Sequence, residues 1–124
     1  MKTIKLGDKE LGLKATPIAM VYYEQEFGTD LIGDLGRIQK KADQLGEGDF
    51  ADFEGLKVLK ITWAMNKANN LGNKFPDFDT WVAKLEEFPF GNAELMFDIV
   101  GEAVDGFFRG TAGKQEAEQE QSGD

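Results

Sequence analysis

Cysteine and histidine are both absent from this chain of 124 residues. Without cysteine the chain can form neither a disulfide nor a thiolate metal site. Without histidine it lacks the commonest general base and the commonest transition-metal ligand, and it cannot build a Ser-His or Cys-His nucleophilic pair. Carboxylates and lysines remain available for chemistry. We therefore expect a non-enzymatic protein without metal or cofactor, and a carboxylate-based enzyme ranks last among the alternatives.

Positive charge is also scarce, because 14 Lys and Arg residues are set against 23 Asp and Glu residues, which gives a net charge of -9. Nucleic-acid binding normally needs a basic face that neutralises phosphates, and an acidic chain is likewise poorly suited to an anionic membrane. The first residues contain no apolar run of signal-peptide length, and no segment approaches the ~18 consecutive apolar residues of a membrane span. These observations predict a cytosolic protein that binds neither nucleic acid nor membrane.

The N-terminal residues have the period-two pattern of a β-hairpin. Ile4 and Leu6 alternate with lysines, a Gly-Asp turn follows, and Leu11 and Leu13 alternate with small or charged residues. A two-stranded hairpin is marginal by itself, so it has to pack on other elements. We therefore expect the hairpin to lie against the helices that the rest of the chain predicts.

Helical periodicity and capping residues predict four to five helices after the hairpin. Thr16 and Pro17 mark the first helix start, and Gly28 marks its end. The further predicted helices cover residues 30–44, about 52–71, 78–85 with Asp77 as N-cap, and 93–109 with Asn92 as N-cap. The pattern therefore indicates a mainly α fold, a helical bundle with a small hairpin packed on it.

Two of these helices are expected to differ in stability and position. Gly33 and Gly36 lie inside the helix at 30–44, and each costs about 1 kcal/mol relative to alanine, so this helix should be the least stable. The helix at 52–71 is apolar over much of its circumference, with Leu56, Leu59 and Trp63 in one stripe. A helix of that kind is usually central in its fold.

The C-terminal residues have a different composition from the rest of the chain. Residues 111–124 contain no Val, Ile, Leu, Met or aromatic side chain. Such a segment cannot bury enough apolar surface to offset the entropy lost on ordering, which predicts disorder. The sequence therefore divides into one helical domain at residues 1–109 and a polar tail at residues 110–124.

Aromatic side chains are the main candidates for a binding surface, because the chain has 10 Phe and 2 Trp. Most should be core. Some of those at predicted helix ends and loops could instead form a partly exposed patch of the kind that marks binding sites. These candidates are Phe50, Phe53, Phe75, Phe88 and Phe90.

The charged clusters have simpler explanations. The acids around residues 49–54 and 77–79 lack the frame of a calcium loop and fit helix capping better. Lysines 57, 60 and 67 suit a solvated helix face, with an acidic partner surface as the minority interpretation. The acids at 94, 98, 102 and 105 share one face of the last helix, which is either solvated or a mimic of DNA phosphates.

Several stretches taken together resemble one protein family, the tail assembly chaperones of long-tailed phages and prophages of Gram-positive bacteria. Residues 1–14 are similar to the hairpin opening of that family, and YYEQEFG at 22–28 resembles the end of its first helix. LKITWAMNKA at 59–68, FDTWVAKLEEF at 78–88 and EAVDGFFR at 102–109 resemble its later helices. The likeness covers most of residues 1–109 and consists of order and spacing, with no catalytic signature.

The resemblance implies a function that composition does not give. Tail assembly chaperones bind the tape measure protein, keep its apolar helical segments soluble and help recruit tail tube proteins around it. They leave before the tail is complete, so the host cytoplasm and not the mature virion is the expected location. In many such phages a programmed frameshift adds a second domain to a fraction of the molecules, so a longer form of the same protein is a further expected partner.

Phe107, Phe108 and Arg109 are the candidate partner-binding residues, because they adjoin the polar tail and the place of such an extension. The runner-up function is an acidic decoy that mimics DNA and binds a host DNA-binding protein. That alternative requires acids to converge on one face at phosphate-like spacing. A carboxylate enzyme would instead require a pocket with paired acids of separated pKa values.

Overall fold

The structure is a computed structural model that describes residues 2–6, 9–44, 55–85, 87–88 and 92–108. Within that part of the chain it contains a two-stranded hairpin and five helices, which confirms the predicted mainly α fold. None of the described helices is both long enough and apolar enough to cross a membrane. The predicted polar tail at 110–124 lies outside the described residues, as does Arg109.

The predicted hairpin is present as strand β1, Lys2–Leu6, paired antiparallel with strand β2, Lys9–Leu13. The register sets Ile4 opposite Leu11, so the alternating pattern gives the hairpin one apolar face. Ile4, Leu6 and Leu13 are buried on that face. β2 packs against helix α3, Gly55–Asn69, and β1 packs against helix α5, Ala93–Ala103.

Helix α1, Pro17–Phe27, begins and ends where the sequence predicts. Pro17 occupies the first turn, where its missing N–H costs nothing, although the Thr16 side chain makes no capping hydrogen bond. Gly28 has a φ of 73°, a backbone conformation that residues other than glycine rarely adopt. Its N–H donates to the Glu24 carbonyl at 2.8 Å. Gly28 thereby ends α1 and turns the chain toward helix α2, Leu31–Gln44.

α3 is the central helix, as predicted, because nearly every residue from Val58 to Ala68 is buried. The prediction that Leu56 belongs to the buried apolar stripe with Leu59 and Trp63 is wrong, since the Leu56 side chain is 58% exposed. Leu56 lies in the first turn of α3, and the burial of α3 by its neighbours begins only at Val58. Helix α4, Phe78–Lys84, starts at Asp77, whose carboxylate accepts from the Thr80 N–H as predicted.

The last predicted helix is present as α5, which starts at its predicted cap Asn92 and continues into a widened final turn at Val104–Phe108, here called the π-turn. Asn92 accepts from the Leu95 N–H at 3.0 Å. Ile99 and Ala103 are fully buried on the face that meets the rest of the core. The apolar stripe of this helix therefore serves the core as the periodicity indicates.

A buried asparagine ties three elements together. Asn66 is 5% exposed, its amide N–H donates to the Gly12 carbonyl at 2.9 Å, and its amide oxygen accepts from the Trp81 indole N–H at 3.0 Å. Gly12 belongs to β2 and Trp81 to α4, so both are fixed to the C-terminal part of α3. A buried amide costs little only when its hydrogen bonds are made, as they are at Asn66.

A second polar centre lies where α1 meets α2. The Asp34 carboxylate is 3% exposed and accepts from the Tyr23 hydroxyl at 2.7 Å, from the Thr29 hydroxyl at 2.9 Å and from Arg37. The Lys57 ammonium lies 3.8 Å away. Burial raises the pKa of Asp34, but the hydrogen bonds and the lysine charge outweigh burial, so the net pKa of Asp34 is lowered.

Replacing Asp34 by Asn should lower the free energy of unfolding by about 2 to 3 kcal/mol, because the Tyr23 and Thr29 hydroxyls and two cations lose a buried charged acceptor. Urea denaturation followed by circular dichroism measures this change. Asp30→Asn is the matched control, since Asp30 is exposed and an asparagine there still accepts from the Gly33 N–H. Equal stability of the two variants would contradict the role given to Asp34.

Acid should destabilise the domain partly through the same carboxylate. The pKa of Asp34 is lower in the folded chain than in the unfolded chain. Its contribution is therefore complete above about pH 4 and is lost as the pH falls through the folded pKa. Urea unfolding from about pH 7 to about pH 3 should show a smaller acid loss for Asp34→Asn than for the parent chain.

Candidate functional site

The large aromatic side chains of the described residues mostly contact one another inside the domain. The Phe27 ring centroid lies 4.9 Å from those of Tyr23 and Phe78 and 5.5 Å from that of Trp63, all in edge-on geometry. Phe75 and Phe88, two of the proposed patch residues, are partly buried and pack against the core. Phe50, Phe53 and Phe90 lie outside the described residues. The patch as a whole therefore stays a prediction.

The candidate partner-binding residues differ from one another in burial. Phe107 is 6% exposed and belongs to the core, whereas Phe108 is partly buried and packs against the core edge. Arg109 lies outside the described residues. Phe107 therefore offers a partner little surface, and Phe108 offers more. Partner binding at this end of α5 stays a prediction.

Leu71 is the most exposed large apolar side chain of the described residues, at 62%. It stands just beyond the C-terminal end of α3, and Val21 on α1 is 46% exposed. Single exposed apolar residues are normal on a protein surface, but an apolar side chain at the rim of a concavity is a common feature of binding sites. Leu71 lies at the edge of an open groove between the start of α1 and the end of α3.

An open groove of about 540 Å³ lies between the start of α1 and the end of α3. One wall comes from residues 14–18 and the other from the segment at 68–71. The lining residues are Lys14, Thr16, Pro17, Ile18, Ala68, Asn69 and Leu71. Lys14 is thus the one charged residue of a lining that is otherwise apolar or neutral.

The groove exists because α1 and α3 pack with opposite directions. Ring contacts pair Tyr22 with Lys67 and Phe27 with Lys60, so the two helices run antiparallel. The N-terminal end of α1 therefore meets the C-terminal end of α3. The two walls come from segments about fifty positions apart, so no local sequence pattern predicts the groove.

Lysines follow the line of contact between α1 and α3, here called the α1–α3 seam. The Lys67 ammonium lies 4.4 Å from the Tyr22 ring centroid and 5.2 Å from that of Trp63, and the Lys60 ammonium lies 5.0 Å from that of Phe27. Lys57, which the sequence places on the same stripe, lies instead beside Asp34. Lys14, Lys67 and Lys60 thus place positive charge along the seam of an acidic protein.

The C-terminal end of the described chain packs against the segment that leads into α1. Gly106, in the π-turn, packs so closely on Ala15 that a Cβ atom would come within 2.7 Å of the Ala15 carbonyl oxygen. Ala15 lies between the groove residues Lys14 and Thr16. A glycine is therefore needed at 106, and the π-turn is held against the segment whose residues Lys14 and Thr16 line the groove.

One of the acids on the acidic face of α5, Asp98, has a lysine beside it. The Asp98 carboxylate lies 3.9 Å from the Lys2 ammonium of β1. Asp77, in the other acidic cluster, caps α4, and hydrogen bonds from Thr80 lower its pKa. Within the described residues there is no cluster of three acidic side chains that could hold a metal ion.

No family model matches the chain, and no curated protein or solved structure matches it significantly. Two observations therefore bear on the function of the protein. One is the resemblance carried by its sequence stretches, and the other is the groove with its adjoining lysines.

Replacing Phe107 by Ala should lower the free energy of unfolding by about 3 kcal/mol, because a buried ring leaves a cavity. Phe97→Ala is the control, since Phe97 is 52% exposed on α5 and should cost less than about 1 kcal/mol. Thermal and urea unfolding measure both values. An unchanged stability of Phe107→Ala would contradict the core role given to this ring.

Proposed function

We propose that this protein is a phage tail assembly chaperone, which binds the tape measure protein, keeps it soluble and helps recruit tail tube proteins. The single observation that supports the proposal best is the open groove with Leu71 exposed at its rim. The resemblance of residues 1–109 names the client class, and the groove is a physical means of holding an apolar segment of that client.

Three properties of the chain suit a chaperone for an apolar helical client. A net charge of -9 favours solubility of the protein and of a complex that it forms. The groove is open to solvent, and amphipathic helices commonly bind in apolar grooves. The role needs no catalysis, cofactor or metal. In this proposal the protein acts in the host cytoplasm and is released before the virion is complete.

The acidic-decoy alternative depends on the acid face of α5. That face includes Asp98, which has Lys2 beside it, and positive charge interrupts a phosphate-like line of acids. The groove, in contrast, has no role in a decoy. The chaperone is therefore the function that the geometry supports better.

Co-expression with the tape measure protein from the same gene neighbourhood tests the proposal. We expect the tape measure protein to move from the insoluble to the soluble fraction and to co-purify with this chain, because its apolar segments are covered. An unrelated acidic helical protein of similar size is the control for a general solubility effect.

An insoluble tape measure protein that fails to co-purify, with both this chain and a frameshift-extended form, would contradict the proposal. Co-purification of a host DNA-binding protein in the same experiment would support the acidic decoy instead. A tail tube protein added to the soluble complex tests the recruiting role separately.

A further inference from the structure

We propose that the groove and the α1–α3 seam together bind an amphipathic helix that carries acidic residues beside its apolar row. This inference rests on the proposed function, because it specifies which segments of the client the chaperone would select. It concerns one site, the surface from Leu71 and Lys14 along the seam to Lys60.

The apolar part of the site is the groove. Pro17, Ile18, Ala68 and Leu71 line it, and Leu71 has most of its surface free for contact. An apolar side chain of a bound helix that enters the groove removes its own surface and that of Leu71 from water. The next exposed apolar residue, Val21, lies one turn along α1 from the groove residue Pro17.

The charged part of the site favours an acidic helix over a basic one. Lys14 is exposed at the groove, and Lys67 and Lys60 hold their ammonium groups over rings at the seam. The net charge of -9 opposes an acidic partner at long range, but charges more than about 8 Å apart are largely screened at physiological salt. Local lysines therefore decide the preference once the helix is in contact.

The spacing of the lysines fits a helix that lies along the seam. Lys60 and Lys67 are seven residues apart on α3, which is about two helical turns or roughly 10 Å. A bound helix alongside α3 would present acids at the same interval on one face. Two acidic positions seven residues apart, flanking an apolar row, are the expected signature of a bound segment.

A pair of synthetic helical peptides of about 18 residues tests the site. Both carry the same leucine row. One has Glu and the other Lys at the two flanking positions seven residues apart, which face Lys60 and Lys67, and at the terminal position that faces Lys14. Fluorescence anisotropy with the full chain should give a Kd about tenfold lower for the Glu peptide, since the sign of three contacts is reversed.

Lys14→Glu should weaken binding of the Glu peptide by about threefold to fivefold and strengthen binding of the Lys peptide. Lys40→Glu is the matched control, because Lys40 is exposed on α2 away from the groove and should change neither affinity. Leu71→Ser should weaken both peptides by about tenfold. Leu56→Ser is its control, at 58% exposure near the opposite end of α3, and should leave both unchanged.

Equal binding of the two peptides, or equal effects of Lys14→Glu and Lys40→Glu, would overturn the inference. Pull-down of the tape measure protein with Leu71→Ser and Lys14→Glu separates this inference from the proposed function. Full capture by both variants would leave the chaperone function standing and refute the site. Selective binding of the Glu peptide without capture of the tape measure protein by the parent chain would support the site and refute the chaperone function.

Discussion

The hydrogen bonds of Asn66 are the constraint on which the arrangement of the fold depends. This one amide is bonded to the β2 backbone at Gly12 and to the Trp81 indole of α4, from a position near the C-terminal end of α3. Hydrophobic burial alone would let the hairpin and α4 slide along α3, because apolar contact has no direction. A buried amide is satisfied in one register only, so the hairpin and α4 take fixed places. With the hairpin fixed, the start of α1 is set beside the end of α3.

Cationic side chains of this protein have two kinds of partner, a buried carboxylate and aromatic rings. Arg37 and Lys57 approach the buried Asp34, where they help to keep the carboxylate ionised, and burial with that carboxylate as acceptor raises the pKa of the Tyr23 hydroxyl. Lys60 and Lys67 instead lie over aromatic rings. Lysines at similar sequence spacing thus have two different tasks, one inside the α1–α2 junction and one along a surface that meets solvent.

Local chemistry decided which features the sequence could predict. Pro17, Gly28, Asp77 and Asn92 act through backbone groups at most four residues away, and each marks its predicted helix boundary. The exposure of Leu56 and the place of Lys57 depend on which elements reach them, and periodicity carries no information about that. The groove could not be predicted from the sequence for the same reason, since its two walls come from segments about fifty residues apart.

The close approach of Gly106 to Ala15 has a practical consequence for work with this protein. It holds the π-turn against Ala15, whose sequence neighbours Lys14 and Thr16 line the groove. We expect an affinity tag, a fluorophore or a surface attachment placed directly after Phe108, two residues from this contact, to hinder the access of large molecules to the groove. Immobilisation through the N-terminus is not equivalent either, because Lys2 lies against α5. An attachment at an exposed α2 side chain such as Lys40 would leave both faces accessible.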